Sequence, residues 1–139
     1  MPHPMMTTFD APSREFCVLR RNRSDTPLQA LNTLNDPVFI EAAQALARKV
    51  AAAPGDANAR ATFAFRTALA RMPKPDEVAR LTKLFDSELA RYISDPAAAE
   101  KMAASELGKP AGDTNMAELA AWTVVANVLL NLDEAITKG

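Results

Sequence analysis

The sequence predicts an all-α protein: five to six helices packed around an apolar C-terminal helix, with an extended N-terminal arm. Three observations predict it. Alanine is abundant and β-branched residues are sparse, a composition that favours helix over sheet. Thr26-Pro27, Asp36-Pro37 and Asp95-Pro96 each set a capping residue before a proline, the pattern that opens a helix. Finally, Leu119 to Leu130 is apolar nearly all round, as the buried centre of a bundle must be.

The elements follow in chain order. Residues 1–25 lack a sustained helical period, and Pro2, Pro4 and Pro12 break any early helix. They read as an extended arm with a short strand or turn at Glu15–Leu19. Residues 26–139 read as the helical bundle domain. Its first helix is short, from Pro27 to about Leu34. The second starts at Asp36-Pro37 and carries Phe39, Ala42, Ala43, Leu46 and Val50 on one face, until Pro54-Gly55 ends it. Asp56 caps a third helix running through Arg71, with Phe65, Leu69 and Met72 on one face and Phe63 close by. Pro75 opens a fourth, where Asp76 and Glu77 complement the positive end of the helix dipole. Its stripe is Val78, Leu81, Phe85, Leu89 and Tyr92. Asp95-Pro96 opens an alanine-rich fifth helix that reaches Leu107 and stops at Gly108. Lys109 to Asn115 is a loop, and the last helix runs from near Met116 at least to Leu130.

Composition bounds the function. At 139 residues the chain is long enough for one domain with a real core and needs neither disulfides nor metal. A net charge of −1 gives no global attraction to nucleic acid or anionic membrane. The longest apolar segment, Leu119 to Leu130, is too short to span a bilayer. The start, MPHPMMTTF, carries no signal peptide. One cysteine and one histidine exclude a closed zinc site of nitrogen and sulfur ligands, and there is no C-x-x-C-H for covalent haem. No phosphate loop, dinucleotide fingerprint, nucleophile elbow or H-E-x-x-H motif occurs. No cofactor, metal or catalytic residue is therefore assigned.

The stretch from Thr8 to Pro37 stands apart. Arg14, Arg20, Arg21 and Arg23 suit an anion or a partner surface, because guanidinium forks match carboxylate, sulfate or phosphate. The alternative is that they pair with Asp10, Glu15 and Asp25 and brace the arm. Nucleic acid is the weaker reading, since no aromatics interleave with the arginines. Cys17 between Phe16 and Val18 reads as a buried structural thiol, because the only imidazole, His3, lies on the terminus. His3 with Met5 and Met6 contains side-chain types that ligate some haem irons, without a rigid element to hold them. Asp10, Asp36, Asp133 and Glu134 are the acids that paired-carboxylate chemistry would need, though nothing in the sequence brings them together. Asn32, Asn35 and Asn131 are expected to satisfy backbone groups where helices break.

The string TFDAPSREFCVLRRNRSDTPLQALNTLNDPVFIEAAQALA closely resembles a block of the planctomycete-type domain of unknown function numbered 1553. Residues 65–73 (FRTALARMP) and 121–134 (AWTVVANVLLNLDE) resemble the same family's closing motifs, so the likeness runs over nearly the whole chain, as its C-terminal part. The resemblance implies proteins that also carry cytochrome c domains and that are exported to the periplasm or cell envelope. It carries over no catalytic residue. It further implies that this chain is a truncated piece, a fragmentary gene product or a free-standing C-terminal unit. The partner would then be the upstream half of the same family domain or another protein, with self-association through Met5, Met6, Phe9 and Phe16. The leading expectation is a non-catalytic interaction or scaffolding module. Its alternatives are a fragment of an envelope enzyme acting on polysaccharide, with Asp10, Arg14 and Arg20 or Arg21 in a cleft, and a docking surface for a cytochrome c domain.

Overall fold

The proline-opened segments all fold as helices in the computed structural model, which describes residues 4–12, 15, 17–20, 24, 26–110, 112 and 114–136. Among the described residues the order is α1 (Pro4–Thr8), α2 (Pro27–Asn35), α3 (Pro37–Ala51), α4 (Ala57–Leu69), α5 (Pro75–Ser94), α6 (Pro96–Ala104), α7 (Met116–Leu130) and α8 (Asp133–Ile136). No strand occurs among them, and the protein is all-α.

Helix α7 is the hub. Leu119, Ala120, Ala121, Trp122, Val125, Ala126 and Leu129 are all buried, so apolar surface points in every direction around it. Helices α3, α5 and α6 supply the main covering, and α4 bridges α3 and α5. Trp122 stacks on Phe85 of α5 with ring centroids 4.2 Å apart and planes 24° from parallel, a geometry worth roughly 1 kcal/mol beyond burial.

The caps act as the sequence reads. Asp36 accepts the Val38 N–H at 2.9 Å, Asp56 the Ala59 N–H at 2.9 Å and Asp95 the Ala98 N–H at 3.0 Å. Thr26 and Gln29 form a reciprocal capping box on α2. Asn115 caps α7 through the N–H groups of Ala117 and Glu118.

The structure corrects several expectations. Pro4 opens a helix instead of breaking one: at the first helical position its fixed φ is an advantage and its missing N–H costs nothing. Helix α4 ends two residues before Arg71, because Ala70 turns left-handed at φ 56°. Alanines carry more of the packing than the predicted stripes do. In α3 the buried set is Ala43, Gln44, Leu46, Ala47 and Val50, while Ala42 is exposed. In α4 Ala61 and Ala64 join Phe65, while Phe63 and Met72 face solvent. Small side chains let neighbouring helices come close enough to cover α7.

Helix α6 stops at Ala104, short of Leu107, and a buried amide explains it. The Gln44 side chain is fully buried. Its Nε2 donates to the Met102 carbonyl at 2.9 Å and to Ser105 Oγ at 3.1 Å. Its Oε1 accepts the N–H groups of Leu107 at 2.9 Å and Glu106 at 3.3 Å. All four bonding sites of the amide are used, and the backbone groups that would have extended α6 bond to α3 instead. Gln44→Leu keeps the volume and leaves those groups unpaired, so it should lower unfolding free energy by about 2–4 kcal/mol in urea titration. A loss under about 0.5 kcal/mol would show that this amide does not hold the α6 terminus.

Candidate functional site

Helix α2 has its amphipathic sense reversed. Gln29 and Thr33 face the protein and are buried. Leu28, Leu31 and Leu34, on the opposite side, are 54%, 57% and 41% exposed, and Val38 just beyond is 68% exposed. At 100° per residue the three leucines span about a third of the helix circumference, centred opposite Gln29 and Thr33.

Polar partners hold the inward side. Thr33 Oγ1 donates to Asn131 Oδ1 at the C-terminal end of α7, with the Gln29 and Ala30 carbonyls of its own helix, 3.2 and 3.0 Å away, as alternative acceptors for its single proton. Asn131 Nδ2 reaches Asn127 Oδ1 at 3.1 Å, and Asn127 Nδ2 donates to the Leu34 carbonyl at 3.2 Å. At the other end Gln29 Nε2 donates to the Thr8 carbonyl at 2.8 Å and to Ser24 Oγ at 3.2 Å. Ser24 in turn donates its N–H and hydroxyl to Asp10 Oδ2 at 2.7 and 2.6 Å. Those two bonds hold the Asp10 carboxyl below its ordinary value of 3.8. A continuous polar ladder thus runs from α7 under α2 to the arm.

The sequence-predicted site residues divide. Arg14, Arg21 and Arg23 lie outside the described residues, as do His3 and Asp25. Arg20 is exposed and has no ion pair among the described residues. Asp10 is committed to Ser24. Cys17 is exposed, which corrects the expectation of a buried thiol. Flanking apolar residues misled that reading, because Val18 and Leu19 are themselves exposed. The asparagine expectation holds for Asn35, whose Nδ2 donates to the Leu31 carbonyl at 2.8 Å, and for Asn131, which donates to the Asn127 carbonyl at 3.3 Å. Of the residues expected to form an apolar patch, Met6 is exposed, whereas Phe9 packs against Phe39 with centroids 6.2 Å apart. Phe16 lies outside the described residues. The leucine row of α2 carries the patch instead.

The acids are also placed apart. Asp36 caps α3, and Glu134 meets an arginine the sequence did not single out. Arg71 Nε and Nη2 donate to the two Glu134 oxygens at 2.6 and 2.9 Å. Its Nη1 and Nη2 donate to the two Glu77 oxygens at 3.0 and 2.7 Å. The guanidinium also lies over the Phe65 ring, 4.6 Å from its centroid. Arg71 therefore ties the end of α4 to the start of α5 and to α8. With both carboxylates engaged it is a clamp and has no fork left for an outside anion. Only Glu77, three residues after Lys74 at a helix start, was a readable signal, as half of a cap. No group of three histidine, cysteine or acidic residues among the described residues could hold a metal ion. Likewise no helix among them is long and apolar enough to cross a membrane.

A family model described as protein of unknown function, DUF1553, matches residues 1–85. The chain belongs to this family. Neither a curated protein nor a solved structure matches it. The DUF1553 match takes in the arm, the leucine row and residues 65–73, and ends within α5. The hub helix α7 and the segment 121–134 lie beyond it, so the polar ladder joins the matched part of this DUF1553 protein to the rest.

Two outcomes follow from this geometry. Glu77 titrates at about 2 instead of 4.5, first because of its bond to Arg71 and next because it accepts the Lys74 N–H. Glu134 is lowered too, chiefly by Arg71. Both carboxyls are depressed in the folded state, so their stabilisation is complete above the unfolded value of 4.5 and fades as pH falls towards about 2. Glu77→Gln should flatten the drop in Tm across that window, and an unchanged acid slope would rule the clamp out. As for Cys17, a thiol-reactive chromophore should modify it in the folded protein at close to its rate in denaturant. Protection of a hundredfold or more would mean that the thiol is buried after all.

Proposed function

We propose that this chain is a non-catalytic helical interaction module that docks through the outward face of α2 and the first turn of α3. One observation carries the reading: α2 turns its polar side to the protein and its leucines to solvent. Burying one leucine stabilises by roughly 2 kcal/mol, so a helix free to choose puts its leucines inward. Contiguous exposed apolar surface on a folded domain marks a place where something else binds. Gln29 and Thr33 fix α2 in this orientation by bonds to Thr8, Ser24 and Asn131 that a rotated helix would lose. The family likeness alone supports a further element of the reading, that the module works in the cell envelope.

Joint replacement of Leu28, Leu31 and Leu34 by glutamine tests the docking face. Each change should alter stability by no more than about 0.5 kcal/mol, as surface substitutions do. Binding of an apolar-surface dye should fall, with helical circular dichroism unchanged. A loss of roughly 2–5 kcal/mol per leucine, the cost of core truncation, would place the row inside the folded protein and overturn the reading.

A further inference from the structure

We infer that the occupant of this face is a second copy of the same chain, with α2 laid antiparallel against α2 about a twofold axis at Leu31; the inference rests on the docking reading above. Three features of α2 point to a copy of itself. The helix PLQALNTLN has no charged residue, so an identical helix meets no like-charge repulsion along its length. Its apolar row is symmetric in sequence, because Leu31 is the midpoint of Pro27–Asn35 and Leu28 and Leu34 stand three residues to either side. An isologous contact needs such a row: Leu31 meets Leu31, and Leu28 of each copy meets Leu34 of the other.

The helix dipoles choose the direction, because an antiparallel pair opposes them and a parallel pair aligns them. Asp36 and the exposed Glu41 follow the C-terminal end, so a parallel pair would also set their like charges side by side. Val38 extends the row at its acidic end. The face is small against the roughly 800 Å² per partner of a standard interface, so the dimer is weak and its population depends on concentration.

Cysteine placement in the full chain reads the register, in a Cys17→Ser background that removes the only native thiol. Leu31→Cys should oxidise readily to a covalent dimer. Leu28→Cys alone should not, because antiparallel pairing separates its two copies by about 9 Å along the axis, beyond disulfide reach. Mixing Leu28→Cys with Leu34→Cys should restore the cross-link. Sedimentation of the unmodified chain should show monomer and dimer in exchange, and Leu31→Gln should weaken the dimer tenfold or more. A chain that stays monomeric from micromolar to millimolar concentration, with no cross-link through position 31, would overturn the twofold pairing. Equal cross-linking through 28 and 31 would overturn it as well. Neither result touches the docking reading, which stands or falls on the dye and stability of the glutamine variant.

Discussion

A helix that is apolar on every side can be stable in water only if other helices surround it, and α7 imposes that requirement on the whole chain. Leu119, Ala120, Ala121 and Trp122 follow one another round the helix, and all four are buried. Helices α3, α5 and α6 lie along α7; α3 and α6 offer faces rich in small side chains, and α5 offers Leu81, Phe85 and Tyr92. Alanine suits this role twice over, since it has the highest helix propensity and lets backbones approach. The side of its C-terminal end that faces α2 is polar, however. Asn127 and Asn131 stand there, and whatever packs on that side has to offer polar groups. Gln29 and Thr33 meet the condition, and their helix is left with its leucines outward. The exposed row on α2 is thus a consequence of two asparagines about a hundred residues away in sequence.

Two polar side chains elsewhere follow the same logic of complete satisfaction. Gln44 uses every donor and acceptor it has, and in doing so sets where α6 ends. Arg71 is shared between two carboxylates and stands on an aromatic ring. Both are fixtures of the fold. Arg20 differs from Arg71 in having no such partner among the described residues, so the contrast between the two arginines separates a charge used inside the molecule from one presented to the outside.

Much of this architecture is legible in the sequence because it is local. A cap and its proline lie side by side, so the starts of α2, α3 and α6 can be read directly, Pro75 with its following acids marks that of α5, and the all-round apolarity of α7 announces its burial. What depends on distant partners is not legible. Leu28, Leu31 and Leu34 show a helical period, but a period does not say which side faces the protein, and the answer lies at Asn127 and Asn131. The end of α6 depends on Gln44, some sixty residues earlier. Cys17 fails for a related reason: apolar neighbours in sequence are a poor guide to burial where the chain has no regular element to aim them.

The reversed helix also carries an energetic consequence. Each bond under α2 contributes a net of roughly 1 kcal/mol, because in the open state the same groups bond to water. Apolar surface contributes about 25 cal/mol for every Å² that is covered. Covering a row of three leucines and a valine therefore stabilises α2 by as much as several of the hydrogen bonds beneath it. Binding at the outer face and ordering of the helix are then one equilibrium. A partner that covers the leucines tightens the polar ladder too, and with it the hold of Gln29 and Ser24 on the arm that carries Asp10 and leads to Arg20.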